Sequence, residues 1–259
     1  MVFGGIQKLT LLDYPEKTAC TLFTIGCNFR CPFCHNTMFL DTDVRRNGNL
    51  PSANDSPSPL HADFPIAHDE SEILSFLKTR HGLLDGVCIS GGEPLMQSGL
   101  EAFIDKVKAL EFLVKVDTNG SYPQKLAELI GSGNVDYVAM DIKNSPEKYG
   151  ETTGVAKYDV APVTESMEVL RSSSIGYEFR TTLVREFHTV DDLISIARWI
   201  VETASMSKNA DRQEKYFLQG FVESDGVLQK GLSGYAAEEM QQLLGEVQKI
   251  LPSAELRGV

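Results

Sequence analysis

Hydrophobic and polar positions along the chain follow two different periods. Short apolar runs rich in β-branched residues predict strands, and longer segments with apolar residues at i, i+3 and i+4 predict helices. The predicted strands are residues 18–24, 86–90, 112–117, 135–142, 177–184 and 216–221. The predicted helices are residues 70–80, 99–110, 123–130, 161–173, 190–204 and 236–250. Strands and helices therefore alternate.

This alternation predicts an α/β fold with parallel strands and right-handed crossovers. Six such units favour an incomplete (β/α)6 TIM-like barrel over a closed eight-fold one, because two further units would need about 60 more residues. A doubly wound open sheet is the alternative. We expect residues 1–259 to form a single domain.

The segment 41–69 differs in composition from the rest of the chain. It contains Pro51, Pro57, Pro59 and Pro65 and has few large apolar side chains. Such a segment cannot bury enough apolar surface to offset the entropy lost on ordering. We interpret it as a flexible surface insertion.

The charge balance limits the partners. Lys and Arg total 24 against 36 Asp and Glu, a formal net charge of −12. Because a negative surface repels phosphates, we expect no nucleic-acid partner and no anionic membrane partner. The chain shows neither a long apolar span nor the uninterrupted apolar region of a signal peptide, so we expect a cytoplasmic protein.

Three of the five cysteines, Cys27, Cys31 and Cys34, form a C-x3-C-x2-C array directly after the first predicted strand. Thiolates at this spacing can each bind a different iron of one cubane cluster, which leaves one iron without a protein ligand. The alternative is a zinc site that adds His35, although structural zinc usually uses two separated ligand pairs. We expect Cys20 and Cys88, which lie in apolar runs, to be buried side chains.

Polar groups also follow the next three predicted strands. After the second strand, Gly91 and Gly92 permit close approach of a ligand, and Glu93 offers an acceptor to an ammonium group. The third and fourth strands end in groups that suit ribose hydroxyls and a zwitterionic amino acid, respectively. These groups are Asp117, Thr118 and Asn119 on the third strand and Asp141 and Lys143 on the fourth. Ordinary turns and surface ion pairs are the alternatives.

Arg180 and Gln219 lie in the last two predicted strands. An unpaired guanidinium inside a barrel is unfavourable, so Arg180 either contacts a ligand carboxylate or lies outside beside Glu178. Gln219 is a substrate-side group or a barrel-mouth amide. All of these candidates fall near the carboxyl ends of strands, where α/β barrels build their sites.

Histidine offers fewer candidates. His35 adjoins the cysteine array, and we expect the others to be solvated in loops. These others are His61, His68, His81 and His188.

The cysteine array, with Phe33 at its aromatic position, resembles the C-x3-C-x-φ-C signature of radical S-adenosylmethionine (SAM) enzymes. The Gly91-Gly92-Glu93-Pro94 segment is similar to the GGEP motif of the same superfamily. The resemblance implies a [4Fe-4S] cluster on the three cysteines, with SAM chelating the open iron and its amino group received by the GGEP motif. Reductive cleavage of SAM would then yield methionine and a 5′-deoxyadenosyl radical.

Segments 4–15, 34–36, 141–143 and 179–182 resemble the glycyl-radical-enzyme activases, especially the activating proteins of anaerobic ribonucleoside-triphosphate reductase. This resemblance implies that residues 117–119 contact the ribose of SAM and that Asp141 and Lys143 contact its methionyl group. It also implies a glycyl radical enzyme as protein substrate and an electron donor such as flavodoxin or ferredoxin. Formate-lyase activases have a SAM-contacting histidine near the last strand, which this chain lacks.

Two alternatives to an activase stay open on sequence. One is a small-molecule radical SAM enzyme that resembles 7-carboxy-7-deazaguanine synthase, which would need polar substrate groups at the barrel mouth. The other is a non-catalytic iron–sulfur or zinc protein, which would not need Asp117, Asp141 or Lys143.

Overall fold

The computed structural model describes residues 1–40, 68–205 and 214–258. The chain divides into two compact units. The first comprises Met1–Asn28, Asn36–Asp117 and Leu129–Tyr137, and the second comprises Phe29–His35, Thr118–Glu128 and Val138–Val259. Within the described ranges, no helix is long and apolar enough to cross a membrane.

The first unit is built on a sheet with the strand order β3-β1-β2-β4-β5. Strands β2, β4 and β5 pair in parallel, whereas β1 pairs antiparallel with both β2 and β3. The strands are β1 (Val2–Thr10), β2 (Ala19–Thr24), β3 (His68–Asp69), β4 (Gly86–Gly91) and β5 (Leu113–Thr118). The helices α1 (Glu70–Lys78) and α2 (Leu100–Lys108) connect them, and α3 (Pro123–Gly131) follows β5.

The second unit has the strand order β6-β7-β8-β9, in which β7, β8 and β9 are parallel. Its strands are β6 (Tyr137–Asp141), β7 (Gly176–Leu183), β8 (Tyr216–Gly220) and β9 (Ala254–Arg257). Its helices are α4 (Tyr149–Thr153), α5 (Ala161–Ser172), α6 (Val190–Ser205) and α7 (Ala237–Gln248). Short 3-10 turns lie at Thr37–Phe39, Pro94–Met96 and Pro146–Lys148.

Local sequence explains these elements. Helix α1 begins at a capping box, in which the Glu72 amide donates to Asp69 Oδ1 at 2.9 Å and the Asp69 amide donates to Glu72 Oε2 at 3.1 Å. In β4, Val87, Cys88 and Ile89 are all fully buried. A parallel strand covered on both faces reads as a continuous apolar run, which is why β4 was recognisable from sequence.

The six predicted strands and six predicted helices are confirmed, with ends that agree within two residues. The α/β class with an incomplete barrel is also confirmed, since the strand order of the described residues begins with β3 and ends with β9. The expectation of parallel strands throughout is wrong for β1. The pattern missed β1, β3, β9 and α4, since β1 contains two glycines and the others are only two to five residues long.

The predicted insertion 41–69 falls almost wholly on residues 41–67, which lie outside the described residues, as does His61. Its predicted end is wrong by two residues, because His68 pairs with Phe3 in β3 and Asp69 caps α1. The flexible insertion and the single domain 1–259 stay predictions.

Candidate active site

The three clustered cysteines lie on the loop that follows β2. Cys31 is buried, whereas Cys27 and Cys34 are half-buried, and none of them forms a disulfide. The Cys34 amide donates to the Cys31 carbonyl at 3.0 Å, so these two thiols flank a tight turn. Cys27 belongs to the first unit, and Cys31 and Cys34 belong to the second.

Cys20 and Cys88 are fully buried, as expected. Burial raises the pKa of the Cys20 thiol to about 12. Cys20 is therefore a protonated, unreactive side chain at neutral pH.

Backbone hydrogen bonds hold the cysteine loop within the second unit. The Arg30 amide donates to the Thr153 carbonyl at 2.8 Å, and the Gln229 amide donates to the Pro32 carbonyl at 2.8 Å. Because the donors and acceptors come from α4 and from the segment after β8, the loop is fixed from two elements.

His35, proposed above as a possible zinc ligand, is engaged elsewhere. Its ring stacks on Phe221 with 5.3 Å between centroids, and its Nε2 lies 2.8 Å from the Val222 carbonyl. Among the described residues, no three His, Cys, Asp or Glu groups converge as a single bound metal ion requires.

Gly91, the last residue of β4, and Gly92 lie against the chain's own backbone in the first unit. The Gly92 amide donates to the Thr24 carbonyl at 3.0 Å, and the Glu93 amide donates to the Gly26 carbonyl at 2.8 Å. A Cβ on Gly92 would overlap the Gly26 carbonyl, and Gly91 has φ +107°. The glycines thus permit close approach to the backbone that precedes Cys27, a role that the ligand argument from sequence did not foresee.

Glu93 is buried, and its Oε1 accepts the Leu95 amide at 3.0 Å, which caps the turn Pro94–Met96. Asn36, just after the cysteine array, donates from Nδ2 to the Gly91 carbonyl at 3.2 Å. Sequence reasoning assigned Asn36 no structural role. Its contact joins the end of the cysteine loop to the glycine segment.

At the end of β5, Asp117 pairs with a lysine that the sequence analysis did not single out. Lys115 Nζ donates to Asp117 Oδ1, and the two residues lie on the same face of the strand. Thr118 and Asn119 are buried, and each accepts a backbone amide in the following turn, from Gly120 at 3.2 Å and from Ser121 at 3.0 Å.

At the end of β6, one carboxylate is shared by two cations. Asp141 Oδ2 accepts Lys143 Nζ at 2.9 Å, and its Oδ1 accepts Arg180 Nε at 2.8 Å. Burial alone raises the pKa of Asp141, but the charges of Arg180 and Lys143 outweigh burial and hold this pKa well below its usual range. Burial lowers the pKa of Lys143, whereas Asp141 and the nearby Cys31 thiol group outweigh burial and raise it.

The structure gives Arg180 a partner that neither alternative named. Glu178, the alternative neighbour, is buried and accepts Arg257 on both carboxylate oxygens. Arg180 instead reaches Asp141 from β7. Arg180 and Lys143 thus bind the same carboxylate, that of Asp141 at the end of β6. Gln219 lies half-buried in β8, in register with Thr182 and Arg257.

His188, expected to be solvated, is fully buried. The Val184 amide donates to its Nδ1 at 3.1 Å, so the proton is on Nε2, which donates to the Lys143 carbonyl at 2.8 Å. Burial lowers the pKa of His188, in agreement with a neutral ring. Its ring also packs edge-on to Phe33 of the cysteine loop, 6.0 Å between centroids. His68 is half-buried rather than solvated, and His81 is exposed as expected.

Comparison with known proteins agrees with this geometry. Residues 21–200 match the family model of the radical SAM superfamily. A Methanocaldococcus jannaschii protein provisionally named a glycyl-radical enzyme activating enzyme is 30% identical over 201 residues, 76% of this chain and 74% of that protein.

Two further relatives are named for reactions on small molecules. A GTP 3′,8-cyclase, named as probable, of Halobacterium salinarum is 32% identical over 159 residues, 59% of this chain and 38% of that protein. A 7-carboxy-7-deazaguanine synthase of the same species is 30% identical over 98 residues, 38% of this chain and 30% of that protein. The chain thus spans well under half of these two relatives.

Solved structures show the same fold. SuiB of Streptococcus suis, in complex with its precursor peptide SuiA, matches 92% of this chain and 48% of its own with a TM-score of 0.64 and 12% identity. A domain of a pyruvate-formate lyase-activating enzyme from Bacteroides vulgatus matches 67% of this chain and 99% of its own with a TM-score of 0.52 and 15% identity. The chain belongs to the radical SAM superfamily, whose enzymes use a [4Fe-4S] cluster and S-adenosyl-L-methionine.

Proposed function

We propose that this enzyme is an activase that abstracts a hydrogen atom from a glycine of a glycyl radical enzyme, anaerobic ribonucleoside-triphosphate reductase, with flavodoxin or ferredoxin as electron donor. The observation that carries the proposal is the similarity to the M. jannaschii activating enzyme over 76% of the chain. Segments typical of reductase activases, at 4–15, 34–36 and 179–182, support the choice of partner.

The residues present fit the cluster. Cys27, Cys31 and Cys34 are unbridged thiols on one loop, and Cys31 is buried within the electrostatic reach of Lys143. A nearby ammonium favours the thiolate form, which is the form that ligates iron. These three cysteines would hold the cluster, and Phe33 would pack beneath the loop. When bound, the cluster and SAM supply the reductive cleavage that generates the hydrogen-abstracting radical.

Complementary charge supports the assignment of SAM contacts. In the second unit, Lys143 and Arg180 place two cationic groups at Asp141, and cationic groups suit the methionyl carboxylate. In the first unit, the carboxylates of Glu93 and Asp117 suit an ammonium group and ribose hydroxyls. Gly91, Gly92, Thr118 and Asn119 would contribute backbone groups and shape around them.

Electron paramagnetic resonance tests the activase directly. Reduced, cluster-reconstituted protein mixed with SAM and the anaerobic reductase should give the doublet signal of a glycyl radical and 5′-deoxyadenosine. The Cys31→Ala variant is the matched negative control. The reductase must first be shown to be activatable by its own activase.

A small-molecule reaction is the second candidate, because the deazaguanine synthase and cyclase relatives share part of the chain. Formation of 5′-deoxyadenosine without any radical on an activatable partner would favour it and contradict the activase.

A further inference from the structure

Lys115 is a buried lysine that the proposed function leaves without a role. Its side chain is 1% exposed, whereas that of its partner Asp117, two residues further along β5, is 16% exposed. Burying an ammonium group is unfavourable unless an anion compensates it. Lys115 therefore approaches the Asp117 carboxylate from the interior, and Asp117 lies nearer the carboxyl end of the strand.

The neighbours of Lys115 come from the two adjoining strands of the first unit. Cys88 on β4 is its register partner, with 3.8 Å between Nζ and Sγ. Thr21 on β2 is the register partner of Cys88, and its hydroxyl donates to Asp13 Oδ2 at 2.5 Å. Asp13 is thus engaged by Thr21, and Asp117 is a carboxylate that compensates the charge of Lys115.

Stability alone is a weak reason to keep such a pair. A buried ion pair contributes little net stability, because desolvation offsets the attraction, but it does restrict geometry. Lys115 Nζ donates a hydrogen bond to Oδ1 of Asp117 from the buried side. This hydrogen bond fixes the carboxylate at the end of β5, and the positive charge of Lys115 favours the ionised form of the carboxylate. Hydrogen bonds from ligand hydroxyls to a fixed, ionised carboxylate are stronger than those to a mobile or protonated one.

We propose that Lys115 is a positioning residue that holds the Asp117 carboxylate ionised and oriented to accept the ribose hydroxyls of SAM. The inference rests on the proposed SAM contact of Asp117. Lys115 itself touches no ligand and acts through Asp117. Its removal should therefore have no further effect once the Asp117 carboxylate is gone.

A double-mutant cycle on SAM affinity tests this dependence. Isothermal titration calorimetry on cluster-reconstituted protein should give a Kd raised about tenfold by Lys115→Met and about tenfold by Asp117→Asn. The double variant should also be weakened about tenfold, not a hundredfold. At saturating SAM, the rate of 5′-deoxyadenosine formation should change by no more than about twofold, because lost binding raises KM rather than lowering kcat.

Two variants separate positioning from general structure. Lys115→Gln keeps a donor without the charge and should recover part of the lost affinity. Lys108→Met is the matched control, because Lys108 forms another lysine–aspartate pair of the first unit, with Asp136 at 2.8 Å, and its Kd should stay within about twofold of wild type.

A wild-type Kd in Lys115→Met, or a double variant weakened about a hundredfold, would overturn the inference. If Lys115→Met does not fold, the double variant leaves no unpaired charge, and its Kd must still equal that of Asp117→Asn. Wild-type protein that fails to bind SAM would contradict the proposed function itself, a result distinct from an unaffected Lys115→Met variant in a protein that binds.

Discussion

The candidate residues of the two units are held in place by different means. In the first unit, the glycine segment is held by backbone hydrogen bonds to Thr24 and Gly26. In the second unit, the ends of β6 and β7 are held by side chains, through the Asp141 ion pairs and the hydrogen bond from His188 to the Lys143 carbonyl. The arrangement in the first unit therefore depends on the absence of side-chain atoms at the glycines. The arrangement in the second unit depends on charged and polar side chains.

The charges differ as well. Lys115 forms an ion pair with Asp117, whereas Lys143 and Arg180 both bind Asp141. Cationic groups beside a carboxylate can also bind an anionic group, and a buried ion pair restricts the geometry of its carboxylate. The comparison thus predicts that an added side-chain atom disrupts the glycine segment of the first unit. It also predicts that removal of a charge disrupts the ion-paired residues of the second unit.

The largest effect is expected at the cysteine loop. Cys31→Ala should abolish cluster binding and SAM cleavage, because a cubane with only two protein thiolates is not retained. Iron and sulfide analysis with a 5′-deoxyadenosine assay measures both. Cys20→Ala is the matched control, and it should lower the free energy of unfolding by about 1–2 kcal/mol without loss of iron. Full activity in Cys31→Ala would refute the ligand assignment.

The second-largest effect is expected when a side-chain atom is added to the glycine segment of the first unit. Gly92→Ala should lower the free energy of unfolding by about 3 kcal/mol, because the new Cβ overlaps the Gly26 carbonyl and the backbone must shift. Urea unfolding of the cluster-free protein measures it. At Gly131, also in the first unit, a Cβ meets no atom within 4 Å, so Gly131→Ala should be neutral or slightly stabilising. Equal losses in the two variants would show that close backbone approach is not the cause.

Removal of the positive charge of Lys143, in the second unit, should weaken only the contact with the methionyl carboxylate of SAM. Lys143→Met should weaken SAM binding about thirtyfold, since a charge-assisted hydrogen bond to the methionyl carboxylate is lost. Binding of 5′-methylthioadenosine, which has no methionyl carboxylate, should change less than about twofold. Calorimetry with both ligands makes the comparison. Equal weakening of both ligands would assign Lys143 to the fold and not to the carboxylate.

The smallest effect is expected at His188. His188→Gln should lower the free energy of unfolding by about 1–2 kcal/mol, because the donor and the acceptor of the Gln amide do not occupy the positions of the two ring nitrogens, so one of the hydrogen bonds to Lys143 and Val184 is lost. His81→Gln provides the control, since His81 is exposed. Identical urea midpoints for wild type and His188→Gln would mean that these hydrogen bonds carry no net stability.

Much of the fold could be predicted from the chain because its signals are local. Buried parallel strands give continuous apolar runs in the sequence, and amphipathic helices give apolar residues at i, i+3 and i+4. The six alternating units were therefore recognisable. Strands β1, β3 and β9 were not, because β1 carries two adjacent glycines and the other two are short. Their pairing depends on neighbours distant in sequence, which no local period reports.

The candidate site divides in the same way. The sequence by itself determined which residues are candidates for the chemistry. The spacing of the cysteines and the position of carboxylates after predicted strands are both visible in the order of residues along the chain. Only the tertiary structure decided which partner each charge takes. Arg180 pairs with Asp141 across two strands, and His188 is buried against Lys143, 45 positions away. Burial and ion pairing are set by contacts between distant segments, whereas a motif records only neighbours along the chain.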